Sequence, residues 1–171
     1  MEFIFYPLDI TYRIVNGKAV IYLYGRTGDN LFVCVRDPNF MPYFYVCPKK
    51  DILLSQLISY IKSLSIRSET DVAEVIEVLH SEKRLLDKTF SLLKVYTKLP
   101  KHVPIIQSSI RKHPYVENTY EYDILFTRRY IMDKGITPLS SIRVIAEPVS
   151  ESSKVPIFNA SCIEPKGDES I

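Results

Sequence analysis

The sequence predicts an α+β fold, in which N-terminal β-hairpins or a small barrel precede a ferredoxin-like unit, a short helix and an extended tail. Three observations support this class. Apolar and aromatic runs separated by turn signals fill residues 1–47. The apolar spacing then becomes helical after residue 51. From there, strand-like and helix-like runs follow one another as far as residue 122.

The N-terminal part reads as strands joined by tight turns. Residues 19–24 (AVIYLY) follow Asn16-Gly17, a strong hairpin signal. Residues 31–36 follow a second turn cluster, Thr-Gly-Asp-Asn, at residues 27–30. Residues 42–46 (PYFYV) then form a short aromatic strand. These runs predict two hairpins or part of a small barrel.

The middle of the chain predicts a β-α-β-β-α-β order. Residues 51–64 form a helix with Asp51 as its N-cap, because apolar residues recur there at helical spacing. Residues 72–79 and 90–97 are strands, residues 101–113 a second helix, and residues 116–122 the last strand. This order defines a ferredoxin-like unit, which RNA-recognition modules also use.

A third helix is predicted at residues 125–135, ended by Gly135 as a left-handed cap. The predicted organisation is a domain at residues 1–138 and an extended linker or tail at residues 139–171, which holds one strand-like run at residues 142–146. Within the domain we expect three parts, namely a β subdomain at residues 1–41, the ferredoxin-like unit at residues 42–124, and the helix at residues 125–135.

Basic residues concentrate in the middle of the chain. Residues 83–129 hold ten basic and four acidic residues, whereas residues 145–171 hold two basic and five acidic residues. A basic segment suits a partner that carries phosphates. A solvated basic face explains the same charges, and charge alone does not separate these alternatives. Twelve Tyr and eight Phe favour strands and also provide surfaces for base stacking.

The residues themselves predict no catalytic, metal or cofactor site. His80, His102 and His113 lack metal-site spacing. Glu121 and Asp123 share one strand face, and we expect a structural role for them, such as capping the next helix. There is no glycine-rich phosphate loop, and three cysteines without C-x-x-C spacing predict no zinc site or disulfide framework. The chain alone is therefore expected not to be an enzyme.

No segment of the sequence predicts membrane insertion. The N-terminus lacks the features of a signal peptide, and no apolar run approaches the ~20 residues that span a bilayer. We expect a cytoplasmic protein with free thiols.

One segment carries a specific resemblance. Residues 113–138 contain H-P-x-V, Y-E-Y-D-I and R-Y-x-x-D-K-G-x-x-P, and the chain also has D-I-T-Y-R, F-M-P-Y-F-Y-V and L-P-K-H-V-P-I-I further upstream. Together these resemble the N-terminal domain of archaeal family B DNA polymerases, over residues 1–138 well and over residues 139–165 loosely. The sequence contains no counterpart of that family's exonuclease, palm, fingers or thumb regions, so we expect no DNA synthesis by this chain alone.

The resemblance implies a template-reading function. In that family this domain binds the single-stranded template ahead of synthesis and captures deaminated bases, namely uracil and often hypoxanthine. Uracil lacks one methyl group of thymine, so a tight pocket excludes thymine sterically while backbone groups satisfy the polar edge of the base. The implied partners are uracil-containing single-stranded DNA and the remaining domains of a family B polymerase.

The resemblance also implies roles for individual residues. Tyr12 and Pro42 would exclude the thymine methyl group, and Tyr43 and Ile124 would offer backbone groups to uracil. Val103 would pack on the base. Pro100 and Phe126 would shape the rim, and Leu125 would also line the base-binding pocket. Arg129 would brace the pocket or meet phosphates, and Arg128 and Lys101 would bind phosphates. The family commonly has proline at the position of Leu125, so this departure affects the expected pocket shape. Each of these residues also suits ordinary packing or a solvated surface.

Three functional hypotheses remain open at this point. The first is the deaminated-base sensor. The second is a nucleic-acid module without base selectivity, stacking bases on Tyr96, Tyr120 or Tyr122. The third is an assembly piece that docks onto the rest of a split polymerase. Salt dependence separates the first two from the third, because phosphate contacts weaken steeply with salt.

Overall fold

The protein contains two compact units, which a computed structural model describes over residues 1–166, apart from the side chain of Leu85. The barrel unit consists of Met1–Phe40 and the chain from Leu125 onward, and the sheet unit is Met41–Ile124. In chain order, the elements are β1 (Glu2–Val15), β2 (Lys18–Thr27), β3 (Phe32–Asp37), β4 (Tyr43–Pro48), α1 (Leu54–Ser63), β5 (Ser65–Arg67), β6 (Val72–Leu85), β7 (Lys88–Thr97), α2 (His102–Arg111), β8 (Val116–Tyr120), α3 (Phe126–Asp133), β9 (Ile142–Pro148) and β10 (Ile157–Pro165).

The barrel unit is a closed barrel of five strands in the order β1-β2-β3-β10-β9. Its N-terminal strands pair as consecutive antiparallel neighbours. The ring closes because β9 pairs antiparallel with β1, and β10 pairs parallel with β3. The barrel interior is filled by apolar side chains of all five strands, among them Phe5, Ile21, Val35, Val144 and Ile163.

The expectation of an extended linker or tail at residues 139–171 is wrong for β9 and β10. These strands are integral to the barrel, since β10 pairs with both β9 and β3. The physical reason is burial, because alternate residues of β9 (Ile142, Val144 and Ala146) point into the core. Residues 167–171, the end of the predicted tail, lie outside the described residues.

The predicted turn at Asn16-Gly17 is confirmed. Both residues have positive φ angles, 51° and 74°, as a tight two-residue hairpin turn requires. The turn connects β1 to β2 and sets their register, in which Val15 faces Lys18 and Tyr12 faces Ile21.

The predicted left-handed cap at Gly135 is also confirmed. Gly135 has a φ of 64° and donates its N–H to the Met132 carbonyl at 3.3 Å, and Ile136 N–H reaches the Ile131 carbonyl at 3.0 Å. These bonds satisfy carbonyls at the end of α3 that have no partner within the helix. The helix itself ends at Asp133, two residues before the predicted bound.

Tyr130 of α3 is the largest fully buried side chain of the barrel unit. Its hydroxyl donates a 2.8 Å hydrogen bond to Asp37 Oδ2 at the end of β3. Burial, reinforced by the Asp37 carboxylate, raises the pKa of Tyr130 far above its ordinary value of 10. The phenol thus keeps its proton at ordinary pH, and its bond to Asp37 anchors α3 to the barrel.

The sheet unit is a five-stranded sheet in the order β5-β6-β7-β4-β8 with antiparallel pairing throughout. Both helices pack on one face, where Phe44 and Val46 meet Leu57, Ile106 and Ile110 in a common core. The α+β class with mostly β-strands is confirmed. The ferredoxin-like assignment stays a prediction, and β5 is a strand beyond those that the sequence predicted.

Several predicted boundaries in the sheet unit are wrong. The helix predicted to begin at Asp51 begins at Leu54, with Leu53 as its N-cap and no side-chain capping bond. Asp51 instead has a φ of 61°, which a helix cannot contain. The last strand ends at Tyr120 because Glu121 also turns to a positive φ of 59°. The β6–β7 hairpin is longer than predicted and turns at Leu86-Asp87.

Of the residues that the structure describes, none belongs to a helix with the length and apolar character needed to cross a bilayer.

Gly25 provides a test of the barrel packing. A Cβ atom at this position would lie 2.1 Å from the Tyr6 carbonyl oxygen and 2.8 Å from Phe5 Cζ. Because the first obstacle is backbone, we expect Gly25→Ala to lower the free energy of unfolding by about 1–3 kcal/mol or more. Guanidinium unfolding followed by circular dichroism measures this loss.

Gly28→Ala is the matched control. Its added Cβ would make only ordinary contact, 3.8 Å from Ile4 Cβ, so we expect a change within about 0.5 kcal/mol. Equal losses in the two variants would contradict the described packing of β1 against β2.

Candidate functional site

An aromatic cluster lies where α3 begins in the barrel unit. The Tyr12 ring meets the Phe126 ring edge-to-face at a centroid distance of 5.2 Å. Phe40 contacts Phe126 at 5.4 Å and Tyr130 at 5.0 Å. The structure therefore brings together two of the residues implied by the resemblance, Tyr12 and Phe126. Tyr12 stays partly exposed, whereas Phe126 is buried.

The backbone at the start of α3 is open to solvent on the side of Leu125. This residue is the N-cap, its side chain is 73% exposed, and its carbonyl accepts the Arg129 N–H at 2.9 Å. The side chain of Leu125 makes no capping bond, and the capping role expected for Glu121 and Asp123 stays a prediction. Arg129 is only 4% exposed, whereas Arg128 is exposed.

In the sheet unit, the end of the β4–β7 ladder and one turn hold another group of the implied residues. The Pro42 carbonyl accepts the Thr97 N–H at 3.0 Å just before β4, and Tyr43 opens that strand. The Pro100 carbonyl accepts the Val103 N–H at 3.2 Å at the start of α2. Val103 is buried in the core of the sheet unit.

The implied residues are thus divided between the two units. The barrel unit holds Tyr12, Leu125, Phe126, Arg128 and Arg129. The sheet unit holds Pro42, Tyr43, Pro100, Lys101, Val103 and Ile124. Lys101 is exposed and Ile124 is half-buried.

Asp71 anchors the start of α2 through side chains that the sequence analysis did not connect. His102 Nε2 lies 2.8 Å from Asp71 Oδ2, and Lys101 Nζ lies 3.3 Å from the same oxygen. The Ser68 hydroxyl donates to Asp71 Oδ1 at 2.6 Å. These bonds, Ser68 first and His102 next, lower the pKa of Asp71 from 3.8 to about 2.

His102 is the least exposed of these groups and completes the anchor. It is 1% exposed, and its Nδ1 atom is the buried side-chain atom without a hydrogen-bond partner in the described part of the chain. Because Asp71 is a carboxylate above about pH 2, Nε2 carries the proton and donates to it. The anchor holds residues 100–103 against the turn at residues 68–71.

The face of the sheet unit opposite the helices carries tyrosines and lysines. We call it the tyrosine face. Tyr43 contacts the rings of Tyr45 at 5.6 Å and Tyr96 at 5.5 Å, and Lys94 Nζ lies 4.0 Å from the Tyr43 ring centroid. The members of the tyrosine face are Tyr43, Tyr45, Tyr96, Tyr120, Lys83 and Lys94.

Only some residues of this face were predicted from the sequence as stacking residues. Tyr96 and Tyr120 lie on it, but Tyr122 packs against the core of the sheet unit and is corrected as a stacking candidate. Tyr45, Lys83 and Lys94 were missed. The signal was present in residues 43–46, where Tyr43 and Tyr45 alternate with the fully buried Phe44 and Val46.

No group of His, Cys, Asp or Glu side chains suited to a metal ion occurs within residues 1–166. Cys34 is buried, and burial raises the pKa of its thiol, so its side chain is a poor nucleophile. The chemistry that these surfaces offer is recognition through rings, backbone groups and cationic side chains.

The chain is similar to archaeal DNA polymerases. It is 32% identical to a DNA polymerase of Pyrococcus horikoshii over 132 residues, which cover 77% of this chain and 10% of the relative. It is 31% identical to a DNA polymerase of Thermococcus sp. strain GE8 over 162 residues, which cover 95% of this chain and 9% of the relative. No protein-family model matches the chain.

A solved structure extends this similarity to the fold. The family B DNA polymerase of the archaeon Pyrobaculum calidifontis matches 95% of this chain and 21% of its own, with a TM-score of 0.80 and 28% identity. The chain is thus homologous to archaeal family B DNA polymerases over 95% of its length. It spans less than a quarter of the relatives that it matches.

The Asp71 anchor predicts a specific acid sensitivity. The folded-state pKa of about 2 lies below the ordinary value of 3.8, so the anchor contributes its full stability above about pH 4. That contribution is lost as the pH falls toward 2. Carbon-detected NMR titration of the Asp71 carboxyl measures the pKa directly.

Asp71→Asn is the matched variant for this titration. We expect its stability relative to the parent chain to be lowest near neutral pH and to converge on the parent between about pH 4 and pH 2. An unchanged difference across this window would show that Asp71 ionisation does not stabilise the fold.

Proposed function

We propose that this chain is the template-reading N-terminal domain of an archaeal family B polymerase, which binds single-stranded DNA and retains uracil in preference to thymine. The observation that carries the proposal is the 28% identity and TM-score of 0.80 with a family B polymerase over 95% of the chain. The motifs at residues 113–138 support it independently.

The chemistry of the proposal is rejection of one methyl group. A hydrophobic wall distinguishes a single methylene or methyl by only about 1–3 kcal/mol. Selectivity for uracil therefore requires rigid pocket walls and hydrogen bonds to the polar edge of the base, rather than a large contact area. A base on a single strand also leaves its neighbours at little cost, because no base pair has to be broken.

Rigidity is what the described residues of the barrel unit offer. The Tyr12 ring is held against Phe126, and Phe126 is in turn held by Phe40. Phe40 packs on Tyr130, which is anchored to Asp37. An aromatic wall supported in this way yields little to an additional methyl group.

In the sheet unit, the inter-strand bond at Pro42 and the turn at Pro100 provide the same rigidity. Each proline carbonyl accepts a backbone N–H, and the turn at Pro100 is also held by the Asp71 anchor. Val103 follows directly and is 6% exposed. We propose that Val103 packs on the base and that the backbone of Tyr43 and Ile124 meets its polar edge.

Leu125 does not disturb the proposed backbone. Its φ of −56° lies within the range that proline imposes, so leucine here adopts a conformation that proline would also have. The exposed leucine side chain adds an N–H and solvent-facing apolar surface. We therefore propose that the departure at Leu125 weakens the pocket through backbone freedom rather than through a different shape.

The direct test is fluorescence-anisotropy binding to two single-stranded oligonucleotides that differ by one uracil in place of thymine. We expect tighter binding to the uracil strand. Val103→Gln adds volume and a polar amide at a buried position, so we expect it to remove the uracil preference while binding to the thymine strand remains.

Three outcomes are decisive. Uracil preference that survives Val103→Gln would refute the assignment of the pocket to α2. Equal binding of the two strands by the parent chain would favour a nonselective module. No binding to either strand would favour a piece that acts only when assembled with the remaining polymerase domains. Ile105→Gln, at a half-buried position of the same helix, is the control for general damage.

Leu125→Pro tests the explanation of the sequence departure. Because φ is already −56°, proline restricts the unfolded chain more than the folded one, and we expect about 0.4–1 kcal/mol of added stability. We also expect the uracil preference to be equal or greater, measured with the same two oligonucleotides. A destabilised variant would show that the Leu125 N–H is required by the fold.

A further inference from the structure

The tyrosine face has the structure of a stacking surface. Its strands are neighbours in the sheet, since Tyr43 faces Tyr96 across β4 and β7, and Tyr45 faces Tyr120 across β4 and β8. The two helices lie on the other face, against Phe44 and Val46. The rings therefore form a layer on the side of the sheet unit that its own helices leave uncovered.

The rings differ in what they can offer to a partner. Tyr43 is 6% exposed and is enclosed by Tyr45, Tyr96 and the Lys94 side chain. Tyr45 and Tyr96 are half-buried, and Tyr120 is 47% exposed. Tyr43 thus supports the layer, while the other three present ring surface.

Two ammonium groups lie on the same layer. Lys94 Nζ is 4.0 Å from the Tyr43 ring centroid and 5.2 Å from that of Tyr96, and Lys83 Nζ is 4.9 Å from the Tyr45 ring centroid. Within the described residues neither ammonium forms an ion pair with a carboxylate. Glu77 is an acidic residue of the neighbouring strand β6 and faces Tyr96.

We propose that the tyrosine face binds a single strand of nucleic acid, with bases stacked on Tyr45, Tyr96 and Tyr120 and phosphates paired with Lys83 and Lys94. Every base has a π-face, so this binding does not depend on base identity. The ammonium groups are already placed beside the rings, and phosphates would neutralise them. This goes beyond uracil capture, which uses Val103 and backbone groups instead.

The chemistry favours a single strand over a duplex. A duplex presents phosphates and groove edges, and its bases are already stacked on one another, so exposed tyrosine rings would gain little. A single strand offers unstacked bases and flexible phosphates within reach of the lysines. The proposed contacts are made to bases and phosphates and not to the ribose 2′-hydroxyl, so DNA and RNA strands should bind with similar affinity.

The absence of tryptophan from the sequence makes a direct optical test feasible. Excitation of the 171-residue chain reports tyrosine alone, because the sequence has twelve Tyr and no Trp. We expect oligo(dT) and oligo(dA) of equal length to quench this emission, and anisotropy of labelled strands to give matching affinities. Photocrosslinking of a bromouracil strand, read by mass spectrometry, should label Tyr45, Tyr96 or Tyr120.

The stacking contribution is measured with Tyr120→Leu and Tyr45→Leu. We expect each to weaken binding of the thymine strand about fivefold or more, since stacking on one ring is worth about 1–3 kcal/mol per base. Tyr6→Leu is the matched control, because Tyr6 is comparably exposed at 43% but lies on the barrel unit. Thermal unfolding of each variant separates lost binding from lost fold, and exposed Tyr120 is the safer position.

The phosphate contribution is measured by salt dependence. Each phosphate contact contributes about −0.7 to the slope of log K against log salt for single strands. Combined Lys83→Gln and Lys94→Gln should therefore reduce the slope by about 1.4. Lys62→Gln and Lys112→Gln, at exposed positions of the helical side, should leave it unchanged.

The result separates this proposal from uracil capture. Tyr120→Leu should weaken binding of the uracil and thymine strands equally, whereas Val103→Gln should remove only the difference between them. Folded Tyr45→Leu and Tyr120→Leu variants that bind the thymine strand as tightly as the parent would overturn the proposal. So would an unchanged salt slope in the double lysine variant, or crosslinks found only outside the tyrosine face.

Discussion

Closure of the barrel by the two strands nearest the C-terminus is the constraint on which the rest of the structure depends. β9 covers the edge of β1, and β10 covers the edge of β3 through a parallel pairing in which Ile157 faces Cys34. Without them, β1, β2 and β3 would form an open sheet with unpaired backbone at both edges. The same two strands also supply apolar side chains to the barrel core. The pairing of β9 and β10 therefore covers the sheet edges and completes the barrel core at the same time.

The barrel in turn positions the aromatic cluster at the start of α3. Tyr130 fills the core and bonds Asp37, and this fixes the helix whose first residue is Phe126. The chain passes between the two units twice, after Phe40 and after Ile124. Several residues implied by the resemblance lie within three positions of these crossings, so local turns and caps determine their placement. Leu125, the N-cap of α3, is one of them.

Much of the local structure could be predicted, because local signals determine it. Asn16-Gly17 and Gly135 are positions where backbone geometry demands particular residues, and both were identified correctly. Closure of the barrel was not predicted, since a parallel pairing between residues more than 120 positions apart leaves no local pattern. The predicted N-cap at Asp51 was wrong. An aspartate side chain suits a cap, but the turn before α1 requires a positive φ at this residue. The lysines of the tyrosine face were missed for a related reason. Each lysine contacts a tyrosine ring on another strand, and the residues next to it in the sequence do not indicate that contact.

The insertion of the sheet unit within the barrel sequence has a consequence for synthesis on the ribosome. Residues 41–124 are contiguous, so that unit can fold as soon as it has emerged. The barrel cannot, because β1 must wait for β9 and β3 must wait for β10, about 140 and about 120 residues later. During that interval, the nascent chain carries a finished unit next to a half-barrel with two uncovered edges. Chaperones that shield strand edges should therefore act on residues 1–40, well before translation of β10 is complete.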